Sequence, residues 1–149
     1  MNKIDYKALI ISIFIAMVTF IIVEFLIEII LLRPYGISES VFITELKPPL
    51  AGAMHTILNL IIFILLMSVI ITVHVALRPR FSSDIKAALV TSSIFLAVIF
   101  LLVANLVNLG FFPWKLGLLV CLFNLIKLPI AIMAAALAYS ARTADNRTN

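Results

Sequence analysis

The stretch "ALIISIFIAMVTFIIVEFLIEIILL", residues 8–32, decides the architecture of this chain. It is apolar almost throughout, and its only charged side chains are Glu24 and Glu28. A helix needs about 20 apolar residues to cross the hydrocarbon core of a bilayer, and this run exceeds that length. Arg33-Pro34 follows directly, and proline after an apolar run is a common helix stop. The stretch therefore predicts a membrane-spanning helix.

Three further apolar runs of spanning length follow, at residues 50–77, 87–109 and 116–139. Hydrophobic residues make up 64% of the chain and charged residues 12%, whereas soluble domains carry about 25% charged residues. We therefore predict an all-α integral membrane protein, an antiparallel four-helix bundle in which residues 1–149 form a single transmembrane domain within the lipid bilayer. The tail after residue 139 is expected to be a short, polar and mobile end.

The lysine and arginine residues of the loops predict the orientation. If the N-terminus is cytoplasmic, seven of them lie on the cytoplasmic side and three on the other side. The positive-inside rule favours this arrangement, so both termini are predicted to be cytoplasmic. The net charge of +4 resides largely in these loops and does not indicate a nucleic-acid partner. We expect a multi-pass protein of the cell inner (plasma) membrane.

Each predicted span carries a pair of polar side chains three or four residues apart, a spacing that places both on one helix face. The pairs are Glu24 and Glu28, His55 and Asn59, Asn105 and Asn108, and Asn124 and Lys127. At about 1.5 Å of rise per residue, all eight fall in the outer half of the membrane or at its midplane. We therefore predict a shared polar pocket that opens to the outside and binds or transports a cation, a proton or a small polar group.

Charge predicts how some of these residues pair. Lys127 is the only cation within the predicted spans, and an ionised side chain at the centre of a span costs about 2.5–3.5 kcal/mol. We therefore expect an ion pair between Lys127 and Glu24, whose depths are similar. Two carboxylates and an imidazole are also suitable ligands for a divalent metal. Glu24, Glu28 and His55 form that candidate metal set.

Two other functions remain open. The polar pairs are explained equally well as structural contacts in a non-catalytic accessory subunit of a larger membrane complex. A small metal-dependent membrane enzyme is the third alternative, although the sequence lacks H-E-x-x-H, C-x-x-C, P-loop and G-x-S-x-G motifs. A homodimer is considered because the small residues of "AIMAAALA", 131–138, offer a close-packing face. His74 is interpreted as an interfacial residue at the level of the lipid head groups.

Two turn sequences resemble those of a known group. "VHVALRPRFSSDIKAAL" begins at residue 73, and "NLGFFPWKLG" precedes a last span that ends in "ALAYS". Together they resemble small uncharacterised bacterial four-helix integral membrane proteins with an Arg-Pro-Arg-Phe turn after the second span. The resemblance implies the same topology and a bacterial inner-membrane setting, and that group has no known activity to carry over. The residues that carry it are Arg78, Pro79, Arg80, Phe81, Leu109, Gly110 and Pro113.

Overall fold

The computed structural model of the chain describes residues 5–32, 53–111 and 113–148. These residues are helical almost throughout, with no strand among them, and they include four helices long and apolar enough to span a membrane. The predicted all-helical class and the four spans are therefore confirmed. The elements are α1 (Tyr6–Ile27), which continues into a π-helical turn (Glu28–Leu32), α2 (Ala53–Leu77), a 3-10 turn (Arg78–Arg80), α3 (Asp84–Asn108) and α4 (Trp114–Thr148).

Local sequence signals fix several helix ends. The Asp5 carboxylate accepts hydrogen bonds from the backbone N–H groups of Lys7 and Ala8 at 3.0 and 3.1 Å and so caps α1. Ser83 caps α3 in the same way, accepting from the N–H of Lys86. At the other end of α3, Gly110 adopts φ = +76°, a left-handed conformation that glycine takes at little cost. This geometry lets the chain leave α3 and enter the short turn before α4.

The fourth helix is longer than the sequence predicted. The predicted span ended at residue 139, but α4 continues to Thr148. Residues 140–148 contain neither glycine nor proline, and the Thr143 hydroxyl donates to the backbone carbonyl of Tyr139 at 3.0 Å. Hydropathy marks where the membrane ends, and it carries no signal that stops a helix. The last helix therefore extends beyond the predicted span into the polar tail.

Small residues bring α1 and α4 together. Ala8, Ser12 and Ala16 recur every four residues on α1 and are fully buried, so that the two backbones approach closely. On α4 the buried small residues include Ala131 and Ala135. These alanines belong to the run that suggested a dimer face, and the fold buries them inside a single chain. They do not provide a free surface for a second copy.

The two ends of the bundle differ in how tightly the helices pack. We call them the Arg78 end, which holds Arg78, Asp84 and Tyr139, and the Glu28 end, which holds Glu28 and the start of α4. At the Arg78 end and toward the middle, large side chains from α2 and α4 fill the core: Met67, Ile70, Ile71, Leu128 and Ile132. By contrast, none of the described side chains in the segment 54–66 of α2 is buried. The described part of α2 is thus packed tightly at the Arg78 end and loosely toward the Glu28 end, where Ile27 of α1 and Leu116 of α4 are still buried.

Candidate functional site

A buried ion pair joins α1 to α4 on the Glu28 side of the tightly packed core. The ammonium of Lys127 lies 2.6 Å from Oε1 of Glu24, and the two side chains are 9% and 42% exposed. Helix side chains lean toward the helix N-terminus, so Lys127 reaches toward the Glu28 end, where the last turns of α1 lie. The ion pair expected from the sequence is present, with its cation buried and its carboxylate partly open.

The aromatic ring of Phe20 also contacts the ammonium of Lys127. The ammonium of Lys127 lies 4.8 Å from the centroid of the Phe20 ring, within the range of a cation–π interaction. Phe20 in turn packs on Phe63 of α2, with ring centroids 5.3 Å apart. Sequence reasoning missed Phe20, although its position four residues before Glu24 places it on the same face of α1. Lys127 is therefore held between an aromatic ring and a carboxylate.

Glu28 lies one turn beyond Glu24 on the same face and carries a second carboxylate. It is partly buried, and its side chain makes no hydrogen bond or ion pair with any residue that the structure describes. Glu28 also begins the π-helical turn Glu28–Leu32, and such turns occur often at functional sites. Among the described residues, Lys127 is the only cation that forms an ion pair with either carboxylate.

Backbone chemistry adds a polar group close to Lys127. Pro129 lies inside α4 and has no N–H to donate to the carbonyl of Leu125, four residues earlier. That carbonyl therefore lacks its usual helical hydrogen bond two residues from Lys127. Asn124, a predicted site residue, is partly buried, and its side chain donates to the carbonyl of Val120 on its own helix at 2.8 Å. In this arrangement Asn124 is satisfied within α4.

Two of the other predicted site residues, Asn105 and Asn108, make no contact with the ion pair. Asn105 and Asn108 are exposed on the last turns of α3, and their side chains form no hydrogen bond with the described residues. Asn59 is exposed on α2. Residue 55 belongs to α2 by its backbone, but the His55 side chain lies outside what the structure describes. The pocket shared by polar residues of all four helices therefore stays a prediction.

The predicted divalent metal site also includes a side chain outside the described residues. Among the described residues, no three His, Cys, Asp or Glu side chains are grouped as a metal site. Because the candidate set Glu24, Glu28 and His55 includes a side chain outside this part of the chain, the divalent metal stays a prediction.

A separate groove between α3 and α4 is apolar. It has a volume of about 430 Å³ and contains none of the eight predicted site residues. Its lining residues are Leu96, Ala97, Ile99, Phe100, Leu118, Cys121, Leu122 and Leu125. The surface of this groove is almost entirely apolar, so the groove suits hydrocarbon better than a charged ligand.

A second polar cluster, at the Arg78 end, was missed by sequence reasoning. The Arg78 guanidinium donates to both carboxylate oxygens of Asp84 and, at 2.9 Å, to the hydroxyl of Ser140. It also lies 5.4 Å from the centroid of the Tyr139 ring, and the Tyr139 hydroxyl accepts from the backbone N–H of Asp5 at 3.4 Å. These contacts connect the ends of all four helices. The sequence signal was the charge pair six residues apart across the Arg78–Arg80 turn.

His74 belongs to this end of the bundle and was placed wrongly by the sequence. It was interpreted as an interfacial residue, yet the structure buries it completely. Its Nδ1 lies 3.5 Å from the hydroxyl of Thr91 on α3, while Nε2 has no hydrogen-bond partner among the described residues. The small residues Ala87 and Ala88 of α3 are fully buried at this end, which lets α2 and α3 close over the imidazole.

Comparison with known proteins adds no family to this description. No protein-family model, curated protein or solved structure matches the chain. The function must therefore be argued from the two polar clusters and their placement in the bundle.

Proposed function

We propose that the chain is a multi-pass inner-membrane protein in which the four helices run antiparallel and the Arg78 end faces the cytoplasm. Two contacts support the opposite directions of α1 and α4, since Asp5 meets Tyr139 and Glu24 meets Lys127. The orientation rests on the seven-to-three distribution of basic residues. In this orientation the Glu24–Lys127 pair lies in the outer half of the membrane.

Thiol labelling in intact cells tests the orientation. In a Cys121→Ala background, a cysteine at Lys115, which is exposed in the first turn of α4, should react with a membrane-impermeant reagent added outside. A cysteine at Ser82, exposed in the turn before α3, should react only after the cells are opened. The reverse pattern would place the ion pair in the cytoplasmic half and contradict the proposal.

We further propose that Glu24, Glu28 and Lys127 form a binding site for one monovalent cation, for which a proton competes. The observation that carries this proposal is the buried Lys127–Glu24 pair with a second carboxylate one turn away. Within the described part of the chain Lys127 pairs with Glu24 and no cation pairs with Glu28, and a carboxylate charge without a partner in a low-dielectric environment is costly. One proton or one monovalent cation removes that charge, whereas a divalent ion would replace it with a positive one unless Lys127 were displaced.

Access to this site is expected from the outside. The Glu24 side chain is 42% exposed, and none of the described side chains in the segment 54–66 of α2 is buried. On the other side the large apolar side chains of the core, with Ile71 and Ile132 among them, separate the ion pair from the Arg78 end. A cation therefore has a path to the carboxylates from the outer surface and meets a packed barrier beyond them.

Cation-dependent thermal stability tests the site. We expect NaCl, LiCl or KCl, exchanged for choline chloride at constant ionic strength, to raise the melting temperature of the purified protein in a saturable way. A ligand at about 100 times its Kd stabilises the folded state by about 2.7 kcal/mol. The shift should shrink as the pH falls, because a carboxylate must be deprotonated to bind a cation. Glu28→Gln should abolish it, while Asn105→Leu, a change at an exposed amide outside the ion pair, should preserve it.

The alternatives give different outcomes in the same experiment. If none of these salts changes the melting temperature and Glu28→Gln behaves like the unchanged protein, the ion pair is structural. The exposed Asn105 and Asn108 would then favour the accessory-subunit function, because asparagines form hydrogen bonds between membrane helices. If MnCl2 stabilises the protein where NaCl does not, and His55→Ala removes the effect, the divalent metal site is the correct assignment.

A further inference from the structure

The second polar cluster contains an imidazole that has one nitrogen available for a proton. His74 is fully buried, and its Nδ1 lies 3.5 Å from the hydroxyl oxygen of Thr91. That hydroxyl donates its own hydrogen to the carbonyl of Ala87 at 2.8 Å, so toward His74 the Thr91 oxygen acts as an acceptor. Nδ1 therefore carries the hydrogen in the neutral ring, and Nε2 presents a lone pair. No described group donates to that lone pair.

The charged and titratable groups around His74 are already engaged with one another. Arg78 follows α2, Asp84 begins α3, and both act electrostatically on the imidazole. Asp84 is held by the guanidinium of Arg78. From α4, Tyr139 lies under the same guanidinium, and the Asp5 carboxylate at the start of α1 accepts from its own helix. The backbone of Ala87 also acts on the ring, while Nε2 has no hydrogen-bond partner among the described residues.

We infer that His74 is a second proton-binding site, and that proton uptake at Nε2 loosens the Arg78 end of the bundle. A proton from the adjacent aqueous side bonds to Nε2 and gives the ring a positive charge and a new N–H donor. A buried charge without a partner is strongly unfavourable. Either the ring leaves its position between α2 and α3, or Asp84 turns from Arg78 to the imidazolium. Both responses weaken the contacts that hold these helices together.

This inference stands apart from the proposed cation site. It rests on residues at the opposite end of the bundle and needs no cation at Glu24 or Glu28. If both proposals hold, the protein has a carboxylate site that is accessible from one surface. At the opposite end, the packing of the helices around His74 then depends on pH. Failure of either leaves the other unaffected.

The pH dependence of thermal stability is the first measurement. We expect the melting temperature to fall as the pH is lowered from about 8 to about 5.5, through the range in which imidazoles titrate. The folded state then holds fewer protons than the opened state, so stability decreases with decreasing pH. His74→Asn keeps a donor toward Thr91 but takes up no proton, and it should remove this dependence. His55→Gln removes the other histidine of the chain and should preserve it, as should Glu28→Gln.

Thiol accessibility tests whether the end opens. In a Cys121→Ala background, a cysteine at Ser92, which is 2% exposed on α3, should react faster as the pH falls, relative to a cysteine at the exposed Ser82. The ratio of the two rates cancels the pH dependence of the thiol itself. One proton changes the population of the opened state by at most about tenfold per pH unit. We expect the ratio to rise toward that limit and to stay constant in His74→Asn.

NMR titration of the protein with His55→Gln keeps the test decisive even if His74→Asn does not fold. This protein holds one imidazole, and its Cε1–H resonance reports proton uptake by His74 directly. The midpoint should coincide with that of the change in Ser92 reactivity. A resonance that does not titrate over this pH range, or a pH dependence of stability that is lost in His55→Gln, would overturn the inference.

Discussion

Replacing Lys127 with methionine should lower the free energy of unfolding by about 1.5–3 kcal/mol, the range for a hydrogen bond to a charged group, since it removes the buried cation that pairs with the partly exposed Glu24. Lys127 is buried, and its ammonium touches both Oε1 of Glu24 and the face of Phe20. Because methionine fills a similar volume, the decrease in the free energy of unfolding measures the loss of the charged group and not a loss of packing. Equilibrium unfolding in mixed micelles measures it.

A double-mutant cycle separates the pair from its surroundings. Combining Lys127→Met with Glu24→Gln should recover much of the loss, because the neutral amide no longer needs a cation. Lys115→Met serves as the matched control, since Lys115 is exposed on the same helix and its loss should change stability by less than about 0.5 kcal/mol. Additive effects of the two substitutions would mean that Glu24 and Lys127 do not stabilise each other.

The sequence predicts well those features for which a single interaction has a large free-energy cost if it is not made. Residues 8–32 lie in a helix because no other structure satisfies the backbone of so long an apolar run within a bilayer. The Glu24–Lys127 contact follows from the same reasoning, because an isolated cation in that environment needs an anion at a similar depth. Few arrangements of this chain meet both demands.

The sequence does not predict how closely neighbouring helices pack. Asn105 lies about five helical turns from Ala87, which places both on the same face of α3, yet Ala87 is fully buried and Asn105 is exposed. The difference arises because the packing around α3 is closer at the Arg78 end than at its last turns. Periodicity identifies a face of a helix, but it does not tell whether a neighbour reaches that face.

The Arg78 cluster was missed for a related reason. Basic residues beside a span are read as topology signals, and this reading assigns them to water and lipid head groups. In the fold Arg78 pairs with Asp84 of α3 and with Tyr139 and Ser140 of α4. These partners come from two separate helices, so only the packing of α3 and α4 beside the end of α2 brings them together. His74 was misplaced because its burial depends on the same packing.

The Arg78 cluster gives the second large effect that we expect. Arg78→Met should cost about 2–4 kcal/mol, because hydrogen bonds to charged groups contribute about 1.5–3 kcal/mol each and the partly buried Asp84 is left without its cation. Arg80→Met is the matched control, because Arg80 has the same charge two residues away in the same turn but is exposed. Its effect on the free energy of unfolding should be within about 0.5 kcal/mol. Equal losses for the two variants would show that positive charge near this surface matters and the specific contacts do not. A loss confined to Arg78→Met, recovered in part by adding Asp84→Asn, would identify the guanidinium as the group that joins the ends of α2, α3 and α4.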